Sequence, residues 1–246
     1  MDKLTLLIDA DITAYQATSG AEEEIEWADD IWTIYTDLSK AKEHFNYLVT
    51  KLLEDTKIYD YKLCFSDSAN FRKEIYPAYK GNRKGRKPLG YSALKGWAMD
   101  THPSFYKPNL EADDCLGILA TKFKGKTVIA SMDKDLLSIP GLLYKLNVDG
   151  TGEMLEISEQ QADAMFLLQS LTGDTTDNYK GCPGIGPKTA EVLFKKHGTV
   201  WKTVEDAYLK AGLTKEDALV NARMARILRA SDWDFDNEKV ILWTPQ

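Results

Sequence analysis

KLTLLIDAD, residues 3–11, opens on a short apolar run and ends in two aspartates, Asp9 and Asp11. An apolar run of that length, bounded by polar residues, reads as a buried β-strand over residues 3–8. The pattern recurs. Residues 62–65 form a second such strand, followed by Ser66 and Asp67. Residues 126–131 form a third, followed by Asp133 and Asp135. A fourth strand is expected over residues 142–148. Helical patterns fall between the strands at 12–19, 91–99 and 110–123. Another starts at Leu38, where Leu38, Ala41, Phe45, Leu48 and Leu52 step by three and four behind Asp37 or Ser39 as cap. Alternating strands and helices over the first 150 residues predict an α/β fold with a parallel sheet. Sites in such sheets gather at the carboxyl ends of strands. One acid at a strand end is an ordinary turn residue; three in succession point to a site.

The six acids of residues 22–30 show little periodicity and read as a solvated loop or helix face. From Glu159 onward the pattern is helical, at 159–172, 187–197, 199–211 and 215–230, with a last strand expected at 239–243. The 246 residues suit one large domain or a domain with a helical annex. With 43% hydrophobic and 28% charged residues, the composition is that of a globular protein. The first apolar run spans about five residues, short of a signal peptide, and nothing approaches the ~18 apolar residues of a spanning helix. Cys64, Cys115 and Cys182 have no metal-binding spacing and fit a reduced, cytoplasmic protein. His44, His102 and His197 read as structural or surface residues.

The second organising stretch is GDTTDNYKGCPGIGPKTA, residues 173–190. Asp174 and Asp177 are three apart and can face one ligand. Gly184, Gly186, Pro187, Lys188 and Thr189 suit a turn into a helix whose first N–H groups are free for phosphate oxygens. Carboxylates repel phosphate, so acids beside a phosphate cradle imply a divalent cation between the two. The candidate ligands are Asp9, Asp67, Glu111, Asp113, Asp114, Asp133, Asp135, Asp174 and Asp177. Taken singly, each has an ordinary explanation as a helix cap or first-turn acid. Together at one sheet edge they would repel one another strongly unless cations offset them. Oxygen ligands without histidine or thiolate favour Mg2+ or Mn2+ over zinc. Two such ions about 3.5–4 Å apart are the usual device for in-line attack on a phosphodiester.

A net charge of −7 argues at first against nucleic acid, but setting those nine acids aside changes −7 to +2. Basic residues concentrate between Phe71 and Pro88, where Arg72, Lys73, Lys80, Arg83, Lys84, Arg86 and Lys87 face the single acid Glu74. Tyr76, Tyr79 and Tyr91 are interleaved with them, and aromatic faces stack on unpaired bases while cations hold phosphates. Lys80 and Arg83, three apart, can reach one scissile phosphate. A solvated loop accounts equally well for Lys84, Arg86 and Lys87.

IDA (8–10), FSDS (65–68), FRKEIYPAYKGNR (71–83), EADD (111–114), SMDKDL (131–136) and GDTTDNYKGCPGIGPKTA (173–190) occur in the order seen in the flap endonuclease/5′-nuclease family. With MARILRASDWDFDNEKVILW near the C-terminus, the chain most resembles the stand-alone 5′–3′ exonucleases of short-tailed phages. The resemblance implies a PIN-like mixed, mainly parallel sheet flanked by helices, followed by a helical region with a helix-hairpin-helix element that also binds K+. It divides the chain into a nuclease core, residues 1–158 with a basic arch near 71–100, and a helical region, 159–246, that completes the metal site and returns to the core. It assigns Asp9, Asp67, Glu111 and Asp113 to a first metal. Asp133, Asp135, Asp174 and Asp177 go to a second, with Asp113 shared and Asp114 in support. Lys80 and Arg83 become the basic pair at the scissile phosphate. Tyr79, Gly184, Gly186, Lys188 and Thr189 are set against DNA, and the basic run adds Arg72 and Lys84 to that surface. Asp11 departs from the family pattern, and the arch is short for threading a single strand.

The expectation is therefore a two-metal 5′–3′ exonuclease producing 5′-phosphorylated nucleotides. The resemblance extends this to flap-endonuclease and RNase H activity, acting as a monomer on DNA with a 5′ end, flap or nick, or on RNA/DNA hybrid. Its place would be the cytoplasm, of the host if phage-encoded, with no membrane partner. A PIN-type ribonuclease shares the acidic cluster, and a non-catalytic DNA-binding module would need neither Asp133 nor Asp135.

Overall fold

The computed structural model describes residues 3–245. In chain order the elements are β1 (Thr5–Asp9), α1 (Ala10–Ser19), β2 (Glu22–Ala28), β3 (Ile31–Thr36), α2 (Leu38–Thr56), β4 (Asp60–Cys64), α3 (Arg72–Ile75) and α4 (Tyr91–Thr101). Then follow β5 (Ser104–Phe105), α5 (Ala112–Lys122), β6 (Thr127–Ser131), β7 (Gly141–Leu146), β8 (Gly152–Ile157), α6 (Glu159–Thr172), α7 (Pro187–His197), α8 (Trp201–Lys210), α9 (Lys215–Ala225), β9 (Trp233–Asp234) and β10 (Lys239–Val240).

The main sheet has the order β5-β4-β1-β6-β7-β8. Its first five strands are parallel, and β8 pairs antiparallel with β7. This is the mixed, mainly parallel sheet expected. All five residues of β6 are buried, as are Leu6, Leu7 and Ile8 of β1. Continuous apolar runs rather than alternation are what strands covered on both faces require. One face packs against α1, α2 and α4 through Leu6, Ile8, Phe45, Leu63 and Leu94. The other packs against α5 through Leu7, Leu116, Ile118 and Ile129. A third core, built on Phe166, Leu171, Val204, Tyr208 and Ala222, holds α6–α9 together. Among the described residues no helix is long and apolar enough to cross a membrane.

Asp37 caps α2, accepting from the N–H groups of Ser39 and Lys40 at 2.9 and 3.2 Å. Residues 22–30 are neither loop nor helix face. Strands β2 and β3 form an exposed antiparallel hairpin apart from the main sheet. Its second strand, IWTIYT, is rich in β-branched and aromatic residues, which favour strand. Across the hairpin the Trp27 indole donates to Thr33 Oγ1 at 2.8 Å. The acids of β2 hid that preference. Residues 215–230 do not stay helical either: α9 stops at Ala225 because the next residues run extended along α5. There the Arg226 carbonyl accepts from Arg72, and the Leu228 N–H donates to Asp114. Gly117 of α5 permits that approach, since a Cβ there would lie 2.3 Å from the Leu228 carbonyl oxygen.

Candidate active site

A cavity of about 370 Å3 opens at the carboxyl ends of β1, β4 and β6. Asp9 is the last residue of β1. Asp67 and Asp133 follow β4 and β6, and Glu111 and Asp113 come from the start of α5. All five line the cavity, with Lys80 and Arg83 on its rim. Neighbouring parallel strands end at the same level, which is why residues more than a hundred positions apart meet here. A larger depression of about 460 Å3, lined by Phe166, Trp201, Arg226 and Arg229, lies elsewhere. Its lining carries three cations and two acids, so the gathering of acids rather than volume marks the site.

The remaining candidates divide. Asp135, Asp174 and Asp177 lie outside the cavity lining, yet the charges of Asp133, Asp174 and Asp177 all act on Asp135. Asp174 and Asp177 sit on a loop closed by paired backbone bonds between Asp174 and Tyr179, 2.9 and 3.0 Å. Gly173 and Gly181 pinch its neck, at φ of +67° and +66°. A Cβ on Gly181 would lie 2.3 Å from Gly173 N, and one on Gly173 2.4 Å from Gly181 N. Gly181→Ala is expected to cost about 1–3 kcal/mol, from left-handed backbone and forced packing, measured by urea unfolding.

Electrostatics set these acids apart from surface carboxylates. Burial, and next the charge of Asp11, push Asp9 up to about 7, against a Ser131 hydroxyl that donates to it at 2.8 Å. Burial with Asp9, Asp133 and Glu111 around it pushes Asp113 well above the carboxylate range. Burial, then Asp133 and Asp174, raise Asp135 to about 6. Glu111 goes the other way: burial opposes its charge, but Lys80 and Arg72 outweigh it and hold the group at about 2. The Tyr106 hydroxyl, at 2.5 Å, and next the Asn109 N–H hold Asp67 at about 2.

Cations and a phenol clasp the acids on one side. Lys80 Nζ binds Glu111 and lies 3.5 Å from Asp177, while Arg83 bonds Asp177 at 2.6 Å. Lys80 itself has a φ of +54°, and its N–H donates to the Asp177 carbonyl at 2.8 Å. Among the described residues no three acid, histidine or cysteine side chains close around one point as an ion would require. The acids are near enough to repel, but Glu111 and Asp177 are turned onto Lys80, Arg83 and Tyr79. An all-oxygen donor set with repulsion between Asp9, Asp113 and Asp133 that Lys80 only partly offsets fits a hard divalent cation.

Three assignments are corrected. Arg72 does not face DNA: it is 2% exposed and forms a bidentate pair with Asp114, at 2.7 and 2.8 Å. Asp114, fully buried in that pair, also accepts from the N–H groups of Glu111 and Leu228 and does not line the cavity. Tyr79, 2% exposed, offers no face for a base; its hydroxyl donates to Glu111 and Asp177 at 3.0 and 2.8 Å. Asp11 acquires a place. It accepts from the Tyr91 hydroxyl at 2.7 Å and the Ser66 N–H at 3.2 Å, tying α1 to the start of α4 and the end of β4. Lys84 is exposed. Gly184, Gly186, Lys188 and Thr189 are exposed outside the cavity, at a helix start with no side-chain cap. Sequence reasoning missed Tyr106, Ser131 and Gln169, whose amide donates to Asp135 at 2.7 Å. Only Gln169 carried a signal, as a polar residue on the buried side of a helix.

A parallel α/β core with carboxylates gathered at its strand ends and cations at the rim is the architecture of a metal-using phosphodiesterase. The model of the 5′–3′ exonuclease N-terminal resolvase-like domain matches residues 4–141. The exonuclease of Escherichia phage T7 is 33% identical, over 99% of this chain and 94% of the phage protein. The flap endonuclease Xni of Shewanella piezotolerans is 28% identical over 77% of this chain and 80% of its own length. In fold, the crystal structure of the T5 D15 protein with metal ions superposes with a TM-score of 0.63, at 15% identity, covering 91% of this chain and 89% of that one. The chain belongs to the 5′–3′ exonuclease family.

Proposed function

We propose that the protein is a 5′–3′ exonuclease and flap endonuclease that hydrolyses DNA, using two Mg2+ or Mn2+ ions, to 5′-phosphorylated nucleotides. The observation that carries this reading is the cavity where Asp9, Asp113 and Asp133 repel one another beside Lys80 and Arg83. Asp9, Asp67, Glu111 and Asp113 would hold one ion. Asp133, Asp135, Asp174 and Asp177 would hold the other, Asp113 serving both. When bound, such ions supply Lewis acidity for in-line attack on phosphorus and for departure of the leaving oxygen.

The chain's own residues do the positioning. Lys80 and Arg83 present fixed positive charge where the phosphate enters, held by Glu111 and Asp177. Exposed Lys84 draws the strand toward them. Residues 184–190, outside the cavity, grip the sugar-phosphate backbone without reading sequence, and by resemblance take a K+ ion as a helix-hairpin-helix does. Residues 1–158 act as the nuclease core, and residues 159–246 as the helical region that completes the site. RNA/DNA hybrid is a second substrate, the working form a monomer and the setting the host cytoplasm.

The test gives the pure protein a 5′-labelled duplex, a 5′ flap and a single-stranded RNA, with Mg2+ or EDTA. Mononucleotides or short 5′ pieces from the two DNAs, abolished by EDTA, are expected. Cleavage of RNA alone would replace this reading with a ribonuclease.

A further inference from the structure

The depression of about 460 Å3 lies at the opposite end of α5 from the acids. Glu111 and Asp113 stand at the start of α5, whereas Thr121, in its last turn, and Lys124, just beyond it, line this depression. The 11 residues of α5 separate its two ends by roughly 15 Å. Part of the wall is aromatic: the Trp243 ring lies 5.0 Å from those of Phe166 and Trp201, crossing them at 70° and 68°. Arg226 and Arg229 join it, 7% and 9% exposed, with the Arg226 guanidinium 5.1 Å from the Phe166 ring.

The donors around this cavity are incompletely partnered. Arg229 is held by Asp163 at 2.8 Å and by the Ser138 carbonyl at 2.9 Å, yet its Nε–H is buried with no acceptor among the described residues. The Trp201 indole N–H is buried without one too. Among the described residues the Arg226 side chain makes one hydrogen bond, from Nε to Asp232 at 2.8 Å, which leaves the rest of its five-donor fork unused. The two guanidiniums also act on each other: burial, and next the charge of Arg226, lower the pKa of Arg229. Glu159 and Asp163 answer Lys124 and Arg229, but their side chains are more than half exposed and solvated. Buried donors in folded proteins nearly all find an acceptor in protein, water or a bound ion, so orphans gathered round one cavity point to what it holds.

We propose that this cavity is a second ligand site, away from the metals, and that it binds a nucleoside 5′-monophosphate. Every orphan is a donor, so the ligand must bring acceptors, and the planar fork of arginine matches phosphate oxygens. A bare phosphate would leave most of the volume empty, and that volume falls within the ~300–1,000 Å3 usual for small-molecule sites. The phosphate takes the unused N–H groups of Arg226 and the orphan donors beside them, and the base lies against the aromatic wall. The inference does not depend on the nuclease reading, since it uses none of the strand-end acids.

The experiment titrates the full chain with dAMP, deoxyadenosine and inorganic phosphate by calorimetry, in EDTA so that no metal draws phosphate to the strand-end acids. dAMP is expected to bind on the order of tenfold more tightly than either fragment, the worth of one stacked base. Trp201→Phe keeps the ring and removes one orphan donor. It should weaken dAMP about fivefold without lowering the melting temperature, because the donor it deletes was buried and unpaired. Arg226→Lys, which keeps a charge beside Asp232 but loses the fork, should weaken dAMP and phosphate alike. No detectable dAMP binding, equal affinity for dAMP and phosphate, or binding that both variants leave intact overturns the proposal. Cleavage is not the readout, so failure of the nuclease reading is a separate result and leaves each of these outcomes decisive.

Discussion

Asp113→Asn removes cleavage, by roughly 10³-fold or about 4 kcal/mol of transition-state stabilisation, and at the same time raises the melting temperature of the metal-free protein. Both effects have one cause. Asp113 is pressed by burial and by the charges of Asp9, Asp133 and Glu111, so its own charge is an expense to the fold that only bound cations offset. Asparagine keeps the shape and discards the charge. Thermal melts in EDTA, with and without added Mg2+, test the pair of effects. Mg2+ should stabilise the wild type by mass action and the variant much less. A variant that cuts normally would show that the acid cluster does not carry the chemistry.

The same repulsion sets a pH dependence. Asp9 binds its proton more tightly folded, at about 7, than unfolded, at about 3.8, and Asp135 does so at about 6. Ionising them therefore costs the folded state. Metal-free protein should lose stability as pH rises from about 4 through 7, by a few kcal/mol at most. Glu111 and Asp67, held at about 2, have the opposite sign: their contribution is present above about 4.5 and is lost as pH falls toward 2. The melting temperature in EDTA should thus peak in mildly acidic buffer and decline toward pH 7.5, and saturating Mg2+ should flatten the decline. A flat profile in EDTA would contradict this account.

What could be read from residues alone followed the range of the interaction. The strand ends bearing Asp9, Asp67 and Asp133 were visible because strand and acid are adjacent in sequence, and parallel pairing then brings them together without further information. The β2–β3 hairpin was hidden because six acids in residues 22–30 resemble a solvated run, while the deciding preference sits in the partner strand. Tyr79 and Arg72 misled for a related reason. In a basic, aromatic segment they suggest a nucleic-acid surface, and only distant partners show that they are covered: the chain near residues 224–228 for Arg72, Glu111 and Asp177 for Tyr79. Asp11 was ambiguous because its partners, Ser66 and Tyr91, are 55 and 80 residues away.

Asp114→Ala should be among the most destabilising single changes in the protein, costing about 3–5 kcal/mol in urea unfolding, because it strands a buried guanidinium. Arg72 is 2% exposed, and its five N–H donors serve Asp114, Glu111 and the carbonyls of Met224 and Arg226. The pair therefore fastens α3 and the end of α9 to the start of α5, and α5 is the helix that presents Glu111 and Asp113. Loss of activity in this variant should follow loss of folded protein, with cleavage per folded molecule falling far less than in Asp113→Asn. Replacing both charges at once, Arg72→Met with Asp114→Leu, should recover part of the stability, since the ion pair's attraction scarcely exceeds the cost of drying it. The recovery stays incomplete: the carbonyls of Met224 and Arg226 and the N–H of Leu228 lose their partners in the apolar version. If instead Asp114→Ala unfolds like the wild type but fails to bind metal, Asp114 is a ligand after all and the buried pair is not what holds α5 in place.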